Sequence, residues 1–199
     1  MTKNIKIINY LKNNKDIKFI YDIDFDFFYN TELHIKDSWN WKRFDHKLFN
    51  NFIKNHSFLK FSTVIGHDES LEYWKNLKKD KYFCIHIDYH HDWYIHSEKV
   101  NSTSLNMIDD IINCGNYLAI AAKANIFKNI LWIYPDQITE PSEIFIPEDF
   151  KISGVNVYKI NYSEYCKYIL KNINKKNIVS SIMALSPDFI PRNDIKYFV

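Results

Sequence analysis

The sequence predicts an α/β protein, a three-layer α/β/α sandwich around a mainly parallel central sheet. Six apolar runs of strand length recur along the chain, and stretches of helical period lie between them. Four of the runs also end in acidic or histidine residues, which in an open parallel sheet is where ligands bind.

The runs are "IKFIYDIDFDFF" (17–28), "FSTVIGHD" (61–68), "YFCIHIDYH" (82–90), "NILWIYP" (129–135), "VNVYKI" (155–160) and "IVSSIMALS" (178–186). All are rich in the β-branched and aromatic residues that fit a pleated, half-buried surface. Helical period appears in "SLEYWKNLKK" (70–79) and "SLNMIDDIINCGNYLAIAAKANIF" (104–127), the second opening after a Ser/Thr cap candidate. The Pro-containing "YPDQITEPSEIFIPEDF" (134–150) is expected to be a surface excursion. No repeat, linker or low-complexity tract divides the pattern, so residues 1–199 are expected to form one domain, with 46% hydrophobic and 17% aromatic residues to fill its core.

Composition narrows the function. Lys and Arg (26) nearly balance Asp and Glu (24), and a net charge of +2 gives no bulk reason to bind nucleic acid or an anionic membrane. Cys84, Cys114 and Cys166 are odd in number and widely spaced, which fits neither a zinc ribbon nor a disulfide framework and points to a reducing cytoplasm. Lys and Asn interrupt the apolar residues of the amino terminus, and no stretch approaches about 18 uninterrupted apolar residues, so neither export nor membrane spanning is expected. The three glycines, Gly66, Gly115 and Gly154, stand alone and exclude a glycine-rich phosphate loop.

The chemistry concentrates in "IHIDYHHDWY" (85–94). On an extended strand Asp88, His90 and Asp92 point to one side. This carboxylate and imidazole set suits manganese, iron or zinc better than a structural zinc site, which prefers thiolates. "YDIDFDFF" repeats the spacing with Asp22, Asp24 and Asp26. Burying such a trio costs several kcal/mol per charge unless a cation or hydrogen bonds compensate. Asp24 and Asp26 are taken as ligands, and Asp22 as either a ligand or a solvated edge residue. His67, in "VIGHDES", brings the set to six ligands, enough for two ions sharing bridging carboxylates.

These motifs resemble the ureohydrolase, or arginase and deacetylase, superfamily. "VIGHDESLEYW", "IHIDYHHDWY", "CGNYLAIAAKANIFKNILWIYP", "YDIDFDFF" and "ALSPDFIP" look like its small arginase-like branch, which includes peptide arginases of ribosomal-peptide natural-product pathways. The Asp-x-Asp strand precedes the Asp-x-His-x-Asp strand here, the reverse of arginases, as though the chain were circularly permuted.

The resemblance implies two Mn2+ ions. Asp88 and Asp24 would bridge them, His67 and Asp92 would complete one, and His90 and Asp26 the other. Activated water would then hydrolyse an arginine side chain to ornithine and urea. Ala184 stands where the family carries a guanidinium-binding Glu, so Asp188 is the substitute, with a turn-forming Asp after Pro187 as its plain alternative. For proton transfer, or for holding a ligand or substrate amine, the candidates are His91, His96 and Glu69, each with a structural alternative. Asn116 either approaches the substrate or packs its helix, and Trp93 and Tyr94 either wall an arginine side chain or belong to the core. His86 is expected behind the ligands or in the core.

The expected partner is an arginine-containing precursor peptide, because so short a chain leaves little material to enclose free arginine. A deacetylase or free-guanidine hydrolase is the enzymatic alternative, and a non-catalytic metal- or peptide-binding module the other.

Overall fold

The computed structural model describes residues 2–31, 41–77, 82–93, 112–138 and 154–186. In chain order the elements are α1 (Thr2–Asn13), β1 (Phe19–Asp24), β2 (Tyr29–Thr31), β3 (Trp41–Phe44), α2 (His46–Asn55), β4 (Ser62–Val64), α3 (Ser70–Lys75) and β5 (Tyr82–Ile87). There follow α4 (Tyr117–Lys123), β6 (Phe127–Tyr134), β7 (Asn156–Asn161), α5 (Tyr162–Glu164) and β8 (Ile178–Ala184). A π turn (Tyr165–Ile169) and a 3-10 turn (Leu170–Asn172) continue α5.

Six strands form one sheet in the order β4-β8-β1-β5-β6-β7, with every pairing parallel. β2 and β3 make a separate antiparallel ribbon. The α/β class expected from the sequence is therefore present. Side chains alternate across the sheet with period two. Along β1, Phe19, Tyr21 and Ile23 join a core with Ile7 and Leu11 of α1, Phe52 of α2, and Tyr165 and Ile169. Ile20 joins a second core with Leu71 and Trp74 of α3 and the apolar side of α4. Helices thus cover both faces, and the burial of each large apolar side chain contributes roughly 1.5–3 kcal/mol.

Three helices, α1, α2 and α5 with the turns that continue it, were not among the expected elements. α1 carries its buried residues at Ile7 and Leu11, one helical turn apart. α2 starts at Asp45, whose carboxylate accepts the Leu48 N–H at 2.8 Å.

The helix expected over 104–127 is shorter where it is described. Residues 114–116 form a turn, α4 begins at Tyr117, and Phe127 already belongs to β6. Asn116 Oδ1 accepts the Asn113 N–H at 2.9 Å, and Asn113 Oδ1 accepts the Gly115 N–H at 3.0 Å. Such local side-chain bonds compete with helix formation. α4 ends where Asn125 takes a left-handed conformation (φ 60°) and the Ile126 N–H reaches back to the Ala121 carbonyl at 3.1 Å. The helix expected over 70–79 ends at Lys75, and residues 78–79 lie outside the described residues, as do 139–150 of the expected surface excursion.

The topology creates a crevice. From β1 the chain leaves through α2 toward β4, whereas from β5 it leaves through α4 toward β6. The carboxyl ends of β1 and β5 therefore flank a switch point, the position where open parallel sheets bind ligands. Among the described residues, no helix is long and apolar enough to cross a membrane.

Candidate metal centre

At the switch point β1 ends in Asp24 and β5 is followed directly by Asp88. The strands stop there because each aspartate turns the chain. Asp24 Oδ1 accepts the Asp26 N–H at 3.1 Å, and Asp88 Oδ1 accepts the His90 N–H at 2.8 Å. These i to i+2 bonds bend the backbone in place of a continued ladder.

The alternating-strand geometry expected for both trios is accordingly corrected. Asp26 lies in a 3-10 turn (Phe25–Phe28), and His90 and Asp92 lie beyond the end of β5. Asp92 takes φ 47°, a left-handed conformation that Asp tolerates better than most residues. The 3-10 turn is anchored by Phe25, Phe27 and Phe28, all fully buried; Phe28 packs edge-on against Phe52 with ring centroids 5.0 Å apart.

His67 enters from the loop after β4, in a short 3-10 turn (His67–Glu69). Glu69 holds that loop. Its two carboxylate oxygens accept the Ile65 N–H at 3.3 Å and the Gly66 N–H at 3.2 Å. From there His67 Nδ1 lies 3.0 Å from Asp24 Oδ2, 3.1 Å from Asp92 Oδ2 and 3.2 Å from Asp88 Oδ2. Ligand atoms about 2.0–2.3 Å from a common divalent ion stand about 3 Å from one another, so this is the spacing of a coordination shell.

A second group adjoins the first and shares Asp88. His90 Nδ1 is 3.1 Å from Asp26 Oδ2 and 3.9 Å from Asp88 Oδ1. Among the described residues, four neighbouring groups could hold a metal ion: Asp24, His67 and Asp88; Asp26, Asp88 and His90; His86, Asp88 and Asp92; and Asp22, His67 and His86; the six expected ligands fall within the first three, all of which contain Asp88. Asp24 belongs to the first of these and not to the second.

The electrostatics demand positive charge. Five buried carboxylates, Asp22, Asp24, Asp26, Asp88 and Asp92, crowd three imidazoles. His67 Nδ1, Asp88 Oδ2 and both oxygens of Asp26 are buried and make no hydrogen bond, and such atoms are costly unless a cation compensates them. Burial, reinforced by the charges of Asp92 and Asp24, pushes the Asp88 carboxyl up to about 7. Burial and the charges of Asp24 and Asp88 likewise push Asp26 well above the carboxylate range.

For His67, burial acts against protonation, but Asp22 and Asp24 outweigh it and raise the imidazole well above its ordinary value. His90 is raised to about 10, burial being overcome by its pairing with Asp26 and by the charges of Asp88 and Asp92. These groups fit a cation-binding site, with the imidazolium protons standing where an ion would otherwise supply the charge.

Behind the ligands lies a network that motif reading left largely unassigned. Asp22 Oδ2 accepts from the Tyr117 hydroxyl at 2.6 Å and lies 3.0 Å from His86 Nδ1 and 3.1 Å from His67 Nε2. Tyr117 Oη is 2.7 Å from His67 Nε2. His86 Nε2 faces the His90 carbonyl at 3.3 Å and Asp88 Oδ2 at 3.4 Å. Asp22 is neither solvated nor on an edge; it is fully buried on a central strand. Burial would raise its pKa, but His67 and His86 draw it below the usual carboxylate range.

Ser186, also unforeseen, donates to Asp24 Oδ2 at 2.7 Å. It is placed by bonds from the Leu185 and Ser186 N–H groups to the Val64 and Ile65 carbonyls. Ala184, at the end of β8, sits in register beside Asp24.

The remaining expected residues divide. Trp93 is 1% exposed and packs in the core with Trp74 and α4, so it does not wall an open pocket. His91 accepts the Trp93 N–H on Nδ1 at 3.0 Å and meets Trp132 edge-on. Burial, aided by the charges of His86 and His90, lowers it to about 4, so it is uncharged at neutral pH and poorly suited to be a cationic proton donor. Asn116 is buried at the start of α4 and ties down its own turn. His96, Tyr94 and Asp188 lie outside the described residues.

Comparison of the chain with protein-family models, with curated proteins and with solved structures gives no match. The family resemblance accordingly rests on the motifs themselves.

Proposed function

We propose that the protein is a metal-dependent hydrolase that converts arginine side chains of a peptide to ornithine with release of urea, using two Mn2+ ions. The observation that carries the metal-dependent part is His67 Nδ1 ringed by carboxylate oxygens of Asp24, Asp88 and Asp92 at 3.0–3.2 Å, in a buried crevice at the switch point. Asp26, Asp88 and His90 would hold the second ion. Charge supports two. Five carboxylates with neutral imidazoles carry −5, which one dication reduces to −3 and two reduce to −1.

Divalent ions held there supply Lewis-acid activation of water and stabilisation of developing negative charge. The chain contributes the rest. Its carboxylates favour a cationic guanidinium over a neutral amide at the mouth, the phenylalanines behind Asp26 keep water from the back of the site, and His86 and Tyr117 hold the inner carboxylate fixed. The choice of guanidinium, and of a peptide to carry it, comes from the motif resemblance.

The test is incubation of the Mn2+-loaded protein with arginine-containing peptides. Each converted arginine is expected to lose about 42 Da, with urea released in equal amount. Better turnover of free arginine than of every peptide would overturn the peptide assignment, and no urea from either would overturn the ureohydrolase one.

A mononuclear enzyme of the deacetylase kind is the second reading. It is favoured by the 3.9 Å gap between His90 and Asp88, looser than any contact around His67 Nδ1. One ion per chain, with acetyl-lysine turnover, would establish it.

A further inference from the structure

We propose that Tyr117 and Asp22 are positioning residues that fix the tautomer of His67, so that Nδ1 is the nitrogen presented to the metal. The inference rests on the metal-centre reading and adds Tyr117, which lies outside every motif carrying the ligands, and a role for Asp22, which the "YDIDFDFF" motif leaves between ligand and edge residue.

The proton positions follow from the geometry. Asp22 Oδ2 has three neighbours at hydrogen-bond distance, Tyr117 Oη at 2.6 Å, His86 Nδ1 at 3.0 Å and His67 Nε2 at 3.1 Å. An ionised carboxylate only accepts, so the Tyr117 hydroxyl proton points at Asp22. The tyrosine oxygen then has only lone pairs to offer His67 Nε2, 2.7 Å away. Nε2 must therefore carry the hydrogen, toward an oxygen of Tyr117 or Asp22 whichever way the ring tilts.

With Nε2–H fixed, the neutral imidazole has its lone pair on Nδ1, directed at Asp24, Asp88 and Asp92. The other tautomer would set a bare Nε2 against two oxygens and an N–H toward three carboxylates. It would hydrogen-bond well on the wrong side and exclude the ion. A carboxylate behind a metal-bound imidazole also raises the basicity of the ligating nitrogen, and its loss typically costs 10- to 100-fold in metal affinity.

Packing keeps this arrangement rigid. Tyr117 is the first residue of α4 and is fully buried; its ring lies 4.7 Å from that of His67 and 5.8 Å from Trp74. Asp22 sits on β1, two residues before Asp24 and on the same face of the strand. One strand thus supplies a ligand and, one pleat deeper, the group that orients another ligand. His86 stands likewise two residues before Asp88 on β5, paired in register with Asp22.

The experiment uses the full chain loaded with Zn2+, a diamagnetic probe, and compares it with Tyr117→Phe and Asp22→Leu. In the unmodified protein, nitrogen-15 NMR should show a slowly exchanging proton on His67 Nε2 and metal on Nδ1. Metal titration should give affinities about tenfold weaker in Tyr117→Phe, which keeps the direct Asp22 contact, and up to about 100-fold weaker in Asp22→Leu. The Nε2 proton should exchange faster in both, with far-UV circular dichroism unchanged in Tyr117→Phe.

Metal on Nε2, or affinity and proton exchange unchanged in Tyr117→Phe, would overturn the inference, and the Phe variant decides it even if the Leu variant does not fold. Absence of Zn2+ and Mn2+ binding by the unmodified protein would instead defeat the metal-centre reading, and this inference with it.

Discussion

Replacing Asp88 by Asn should stabilise the metal-free protein at alkaline pH while making it blind to metal. Asp88 is the carboxylate common to three of the four candidate ligand groups, fully buried, with its pKa raised from 3.8 to about 7 by burial and by Asp92 and Asp24. A carboxyl raised in the folded state binds more protons there than in the unfolded chain. The EDTA-treated protein should therefore lose stability as pH rises from about 4 to about 7. The interval corresponds to up to roughly 4 kcal/mol from this group alone. Asp26, raised for the same reason, acts in the same direction.

Other groups act outside this window. Asp22 and Asp24 are depressed, so their stabilisation is present above about 4 and lost only as pH falls further. His90, raised to about 10, stabilises fully below its ordinary 6.5 and fades as pH climbs through 10. Asparagine keeps the Oδ1 that accepts the His90 N–H and mimics the protonated acid. In urea unfolding at pH 8 with EDTA, Asp88→Asn should exceed the unmodified protein by up to about 4 kcal/mol, a margin that should shrink to about 1.6 kcal/mol at pH 5 and disappear below about pH 4. Mn2+ at about 100 times its Kd should add about 2.7 kcal/mol per bound ion to the unmodified protein at pH 8 and nothing to the variant. A variant less stable than the unmodified protein at pH 8 in EDTA, or one still stabilised by Mn2+, would refute the reasoning.

Trp93→Ala should cost about 3–5 kcal/mol in unfolding experiments, as expected for a buried core tryptophan; a change in KM with stability intact would restore it to a substrate wall. Ser186→Ala removes the 2.7 Å donor to Asp24 and should destabilise the metal-free protein by about 1.5–3 kcal/mol, a result that equal chemical-denaturation midpoints would contradict. Asp188→Asn should leave metal content and fold intact while lowering kcat/KM on an arginine peptide roughly ten- to a hundredfold. An unchanged kcat/KM would return Asp188 to a turn-forming role.

The strands of the six-stranded sheet were legible because all but the edge strand β4 carry apolar residues on both faces, as a sheet covered by helices on both sides requires. The clustering of the candidate ligands was legible by type and by position at strand ends, but the geometric reason differed. Asp-x-Asp and Asp-x-His work here as turns in which the first aspartate binds the backbone two residues on, so the later candidate ligands swing round the strand end. α1 and α2 were overlooked because their buried residues are sparse among Lys and Asn, although the Asp45 cap and the Ile7–Leu11 spacing were available signals. Nothing local marks Tyr117 or Ser186. Each reaches the site through tertiary contacts, Tyr117 across α4 and Ser186 through the loop bonded to β4, which a linear pattern does not encode.

Metal content is the decisive measurement. After reconstitution with Mn2+ and removal of free ion, elemental mass spectrometry should find about two ions per chain in the unmodified protein and almost none in Asp88→Ala, because the two groups proposed to hold the ions share that carboxylate. No Mn2+ above background in the folded, unmodified protein would contradict the account, as would two ions retained by the Ala variant.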